Sequence, residues 1–477
     1  MEIKLKWLHS KNLIRLCLFF FCAFVLALST LAFINYLGHG YIYILFTIIS
    51  NLLLYIGFRK NAIFFDTFIG VFFWLGFWLK LTVRIAFSNG FFSMAPYFNA
   101  TGSAFDTGLL VCICGLSGLA LASYLREKFF YIYPERIEGI EQKGLFTLYV
   151  RYRKISWVFF SFLVIFIALS NAYLGIYQRG TLPQTILPFG LNGVYTWLLM
   201  FGMASIAAVM LRFEFEINKK ISIKIVILTL METFLSNTSM LSRGMLLSGG
   251  AFLYGVISAI KKYSIKTNRR ILITIFFSFI FLFLSSVLTV NYLRLSIFSS
   301  TSSTNTTAVK GMTTPLFIDR WIGVEEILAV SSYPALGWNL WNEAWKENPT
   351  KTNEVTHFYD RTFSKTPQIQ IDRKKFHFIQ TLPGVMAFFF YPGSYWFLFI
   401  SMLLIGIFAA SLEYMSYKFS GKNVILAACI AQIIAFRLSN FGYAPAQSYL
   451  LIGSIILNLV IIYSAEKLSR LFIANNS

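Results

Sequence analysis

Residues 155–176 read ISWVFFSFLVIFIALSNAYLGI, an unbroken apolar run without a charged side chain, preceded by Arg151, Arg153 and Lys154 and followed by Arg179. A helix rises about 1.5 Å per residue, so such a run spans the roughly 30 Å hydrocarbon core of a bilayer. Lipid offers no partner to backbone N–H and C=O groups, and a helix satisfies them internally. Read with the same window, further runs lie at 13–33, 41–58, 63–82, 108–125, 191–211, 225–240, 244–260, 271–290, 394–411, 424–438 and 448–462. The pattern predicts an all-α polytopic membrane protein with about twelve transmembrane helices. The pair of runs flanking Arg243 is among the shortest.

Composition leads to the same class. Of 477 positions, 57% are hydrophobic and 13% charged, with a mean hydropathy of +0.67. Soluble domains carry roughly 25% charged residues, so this chain cannot cover its surface with polar side chains. A net charge of +21 suggests nucleic acid at first sight. No basic stripe interleaved with stacking aromatics accompanies it, and that partner class is set aside. About 26 of the 41 Lys and Arg residues fall instead in the N-terminal segment and in alternate short loops at 59–60, 126–154, 212–224, 261–270, 418–422 and 467–470. The positive-inside rule places these loops and both termini in the cytoplasm. The first run continues through Phe33, Ile34 and Asn35 without a small-residue cleavage site, so it reads as a retained helix rather than a signal peptide. All five cysteines lie inside apolar runs, and Cys112 and Cys114 point to different helix faces, so neither a disulfide framework nor a thiolate metal site is expected.

The chain divides into nine predicted helices over 1–290, a polar loop over 291–393, and three more helices over 394–477. A loop of about 100 residues far exceeds an ordinary connection and is where chemistry is expected. It holds eight of the 20 acidic residues and two of the four histidines. Ile318, Trp321, Ile322, Ile327 and Leu328 recur at near-helical spacing within it. That spacing predicts an amphipathic helix lying on the membrane surface.

On the expected outer side, Lys80, Arg84, Arg179, Arg243 and Arg437 are the basic residues outside the large loop. A charge at membrane depth is costly and faces a cavity or a partner, or snorkels to the interface. The planar guanidinium binds phosphate bidentately and keeps its charge, so convergent arginines point to a phosphorylated or pyrophosphorylated lipid. His357, Asp360, Asp372 and His377 are the loop's candidates for a general base. Glu232 is the one carboxylate near the middle of an apolar run, and Asp66 lies one turn inside another. No His/Cys/Asp cluster has ligand spacing, so no metal or other cofactor is expected.

Two further patterns carry a resemblance. Arg179 is followed at the eleventh position by Gly190, and Arg373 at the eleventh by Gly384. Pro383-Gly384-Val385, then Tyr391-Pro392-Gly393-Ser394, closes the large loop, and Leu241-Ser242-Arg243-Gly244 forms a short outer turn. In these features and in its helix–loop layout, the chain resembles the oligosaccharide repeat-unit polymerases of bacterial surface polysaccharide assembly, the Wzy-type O-antigen polymerases. The resemblance implies a metal-independent glycosyltransferase of the membrane-embedded C-type fold. Its donor and acceptor would be glycans on undecaprenyl pyrophosphate, joined on the periplasmic face, with a chain-length regulator as a possible partner. It implies Arg179 and Arg373 as catalytic residues that hold the donor and acceptor chains or the pyrophosphate, with Arg243, Arg294 and Arg320 adjoining as ligands. His377, inside the second pattern, is taken as the catalytic base, and Arg437 and His357, singled out by position and residue type, as further substrate or pyrophosphate ligands. An O-antigen ligase shares this layout, and a lipid-linked oligosaccharide flippase shares the helix count.

Overall fold

The computed structural model describes residues 7–88, 90, 92, 95–137, 139, 144–179, 183–298, 321–347, 358–364, 382–442 and 448–475. Among them every regular element is helical, with one isolated bridge between Lys220 and Lys266. In chain order the helices are α1 (Trp7–Asn35), α2 (Gly40–Phe58), α3 (Phe64–Ser88), α4 (Gly102–Phe130), α5 (Leu145–Arg151), α6 (Arg153–Leu174), α7 (Pro188–Asn218) and α8 (Ile223–Ser239). After these come α9 (Met245–Lys262), α10 (Arg269–Phe298), α11 (Val324–Ser331), α12 (Trp338–Lys346), α13 (Gly384–Phe389), α14 (Tyr395–Phe419), α15 (Val424–Ser439) and α16 (Ser448–Ala474). Nine helices among the described residues are long and apolar enough to cross a membrane. The protein is thus a multi-pass membrane-embedded helical bundle by length and composition. The other three predicted runs are helices too, α8, α9 and α15, but they are shorter or more polar.

The centre of the bundle is α15. Val424, Ile425, Leu426, Ala427, Ala428 and Ala431 are fully buried, which suits a helix apolar on all sides. It packs on α3, α9 and α14. Gly255 of α9 lets the two backbones approach, since a Cβ there would lie 2.9 Å from Ile425 Cα. Asn423 caps α15 by accepting from the Ile425 and Leu426 amides, and its own amide donates to the Ala208 carbonyl at 2.9 Å. The outer ring faces lipid with rows of exposed Phe, Leu and Ile, as along α1, α6 and α10.

At the end of the bundle that carries the basic loops, buried charges among the described residues have partners. Arg126 pairs with Asp66 at 2.6 Å and donates to the Asn61 carbonyl at 3.0 Å. Glu413 accepts from the Phe64 and Phe65 amides and the Tyr133 hydroxyl, at 2.7–3.0 Å.

The helix expected on the membrane surface lies elsewhere. In α11, Val324, Glu326, Ile327, Leu328, Ala329 and Val330 are buried against α3, α4 and α13. Gly76 and Gly323 make the approach possible, because a Cβ on Gly76 would sit 2.3 Å from the Ile322 carbonyl oxygen. The acidic face finds partners inside the protein instead of at headgroups. Lys80 pairs with Glu325 at 2.9 Å, and Glu326 accepts from the Gly323 amide at 2.7 Å.

Candidate functional site

Three chain segments meet at the end of the bundle opposite the basic loops. Gly175 (φ 58°) ends α6 in the left-handed region, which glycine adopts without strain. Asn171 then holds the returning chain, donating to the Tyr177 and Ser239 carbonyls at 3.0 Å and accepting from the Tyr177 amide at 2.8 Å. The Arg179 amide donates to Met240 at 2.9 Å, which fixes this loop against the turn joining α8 to α9. That turn is tight. Leu241 has φ 51°, the Ser242 amide donates to Asn237 at 2.8 Å, and the Gly244 amide donates to the Ser242 hydroxyl at 3.1 Å. Arg294, near the end of α10, clamps both pieces. Its Nε donates to the Leu241 carbonyl at 2.9 Å and its Nη2 to the Arg179 carbonyl at 3.1 Å.

This scaffold aims Arg179 over the Phe436 ring, 5.9 Å from the centroid, beside Arg437 in the last turn of α15. Arg437 Nη2 lies 3.4 Å from the Met200 sulfur. Arg179 and Arg437 both line a cavity of about 80 Å³. Neither has a carboxylate within 4.0 Å among the described residues. Arg294 feels the charges of both Arg179 and Arg243, so the four arginines form one cluster. Burial lowers the guanidinium pKa of Arg179 and of Arg243 below the ordinary value, and the like charge of Arg437 lowers that of Arg179 further. A bound anion would relieve that strain.

The cavity descends from the arginines along α8. Its wall includes Met240 near the mouth and Thr229 at depth, a run of about 16 Å at the helical rise. Between them Glu232, Thr233, Ser236 and Asn237 face inward, opposite Ser248 and Gln432. Glu232 is buried, accepting from Ser236 Oγ at 2.8 Å and Thr233 Oγ1 at 3.3 Å. Across the cavity, α7 widens into a π-helical turn at Leu198–Gly202, a distortion frequent at functional sites. Leu199 and Met200 of that turn form the wall.

Of the residues singled out in the sequence, Arg179, Arg243, Arg294 and Arg437 come together. Arg294 uses its donors on backbone carbonyls and thereby positions Arg179. Arg320, Arg373, His357 and His377 lie outside the described residues. The glycines of both Arg-x10-Gly patterns share one backbone state. Gly190 (φ 71°) and Gly384 (φ 72°) are left-handed residues at helix starts.

Sequence reasoning noted Glu232 but gave it no role, and it passed over Asn237 and Gln432. The signal was present: Thr229, Glu232, Thr233, Ser236 and Asn237 follow the i, i+3, i+4, i+7, i+8 spacing of one helix face. It is a polar stripe on an otherwise apolar helix. Among the described residues, no three His, Cys, Asp or Glu side chains gather to hold a metal ion. Chemically, the site can bind an anion at its mouth and take a proton at its floor. Comparison with known proteins adds no family to this picture: no family model, no curated protein and no solved structure matches the chain.

Proposed function

We propose that the protein joins lipid-linked oligosaccharide repeat units, as a polymerase acting on undecaprenyl-pyrophosphate-linked glycans at the periplasmic face of a bacterial inner membrane. The observation that carries this reading is that Arg179 and Arg437 line one cavity at the end of the bundle away from the basic loops, with Arg243 and Arg294 close enough to Arg179 to form one charged cluster. A pyrophosphate leaving an anomeric carbon gathers negative charge as its bond breaks. Cations fixed in a low-dielectric site lower that barrier most, because they need not reorganise. The reading takes α8, α9 and α15 as spans, for twelve in all, in a C-type glycosyltransferase arrangement with the 291–393 loop outside. It assigns pyrophosphate binding to Arg179 and Arg437, with Arg243 adjoining. Arg373, His377, Arg320 and His357 remain candidates from the sequence alone.

The test is a gel of surface polysaccharide from a deletion strain complemented with variants. Loss of a polymerase leaves glycans of a single repeat unit at the surface, and loss of a ligase leaves lipid A core bare while lipid-linked glycan grows. A carrier is the second reading, favoured by one observation: a carboxylate, Glu232, at membrane depth in a polar cavity. Its loss would remove even single-repeat glycans. A cysteine placed at Gly337, where the added side chain meets open space, should react with an impermeant reagent from outside. Labelling only after permeabilisation of the inner membrane would reject the orientation and the proposal with it.

A further inference from the structure

We infer that Glu232 is the proton acceptor for the attacking hydroxyl. The inference rests on the polymerase reading and adds to it the residue that activates the acceptor sugar. A buried carboxylate at membrane depth is expensive to keep, and Glu232 has no cation within 4.0 Å among the described residues. A purely structural carboxylate in this protein looks different. Asp66 and Glu214 each pair with an arginine, and Glu413 caps two backbone amides. Glu232 accepts instead from two neighbouring hydroxyls of its own helix and faces the cavity that the arginines crown.

The separation has a chemical meaning. In a direct displacement at an anomeric carbon, nucleophile and leaving group sit on opposite sides of that carbon. A base must lie near the first and the cations near the second. Here the acid is on α8, about 12 Å along the helix from Met240 at the mouth, and the arginines are at the mouth. The acceptor O–H gives its proton to a Glu232 carboxylate oxygen as the oxygen forms its bond to the anomeric carbon. The bond from that carbon to the pyrophosphate oxygen breaks, and its electron pair leaves with the pyrophosphate against Arg179 and Arg437. Glu232 then returns the proton to water. Ser236 and Thr233 hold the carboxylate in one rotamer throughout.

The experiment uses the full-length protein in lipid nanodiscs and the lipid-linked repeat units that accumulate in the deletion strain. General-base catalysis is worth about 10²–10⁴-fold. Glu232→Gln keeps the shape and an oxygen for the Ser236 hydroxyl, so kcat should fall by at least about 100-fold. KM and the binding of inorganic pyrophosphate should stay unchanged. Glu232→Asp sets the base back by one methylene and should restore part of kcat. A Glu232→Gln protein with near wild-type kcat overturns the inference, and so does one that loses pyrophosphate binding together with activity, since that marks a structural role. Should Glu232→Gln fail to fold, Glu232→Asp decides: an unaltered kcat overturns the inference, and a lowered kcat with KM held supports it. Failure of the wild-type protein to lengthen any glycan would instead strike the polymerase reading itself.

Discussion

Replacing Arg294 with lysine tests whether the site's mouth is built as described. The arginine bridges two loops, with Nε on the Leu241 carbonyl at 2.9 Å and Nη2 on the Arg179 carbonyl at 3.1 Å. Lysine carries its charge on one nitrogen and lacks the rigid fork, so it can hold one carbonyl in place but not both at this spacing. A hydrogen bond from a charged donor contributes about 1.5–3 kcal/mol. Both bonds are only part-buried, which favours the lower end, near 1.5 kcal/mol for the one that is lost. At about 1.4 kcal/mol per factor of ten, the local opening equilibrium should shift by roughly tenfold. Hydrogen exchange followed by mass spectrometry reads this directly through the Arg179 amide, bonded to Met240, and the Ser242 amide, bonded to Asn237. Both should lose protection by about tenfold, while amides in the centre of α15 stay unchanged. Arg294→Ala, which removes both bonds, should lose more. If protection at 175–179 and 240–244 is the same in all three proteins, the clamp is not what holds the mouth together.

The remaining predictions concern the fold and the anion site. Arg126→Ala strips the buried Asp66 of its cation and should destabilise the protein by about 3–5 kcal/mol. Adding Asp66→Ala should recover part of the loss, as a double-mutant cycle of thermal unfolding in detergent would show. Gly76→Ala places a Cβ 2.3 Å from the Ile322 carbonyl oxygen, where no flexible side chain can yield, so α11 must shift at a cost of about 1–3 kcal/mol. Asn423→Ala deletes the cap of α15 and a donor to Ala208, and should lower stability by about 2 kcal/mol. Arg179→Ala and Arg437→Ala should leave expression intact and produce glycans of one repeat unit. Full-length ladders from both would remove the site assignment.

The sequence made the helices legible because lipid imposes a length and a composition that no packing detail overrides. The run 271–290 lies within α10, and the run 155–176 overlaps α6 except for its last two residues, where Gly175 ends the helix. The helix ends were less legible. The run at 63–82 continues to Ser88 and that at 108–125 starts at Gly102 and ends at Phe130, because polar residues extend a helix beyond the hydrocarbon once capping and neighbours allow it. The fate of α11 was hidden for a different reason. Its alternation of Ile and Leu with Glu describes an interfacial helix equally well, and only the distant Lys80, about 240 positions away in the chain and bonded to Glu325 and the Trp321 carbonyl, decides for burial. The arginines were legible one by one, as charges on the side where charges are few. Their convergence was not, since it depends on Asn171 and Arg294 tying together loops that the sequence shows only as neighbours of helices.

A cluster of guanidinium groups drives itself apart unless each is held in place, and this protein supplies holds that are not opposite charges. Arg294 donates to two carbonyls, Arg179 lies over Phe436, and Arg437 reaches the Met200 sulfur. The Phe436 ring and the Met200 sulfur leave the charges of Arg179 and Arg437 in place. The positive potential they leave at the mouth is strengthened by the apolar walls, and the stripe of hydroxyls and amides below it draws polar groups in without competing for the cations. Glu232 completes the arrangement: set directly beside the arginines it would neutralise them, and set on the lipid-facing side of α8 it would destabilise the helix. At the floor of the cavity it leaves the cations available to an anionic ligand and keeps a carboxylate facing whatever that ligand carries below. The separation of the carboxylate from the guanidinium groups thus follows from what each would cost in the other's place.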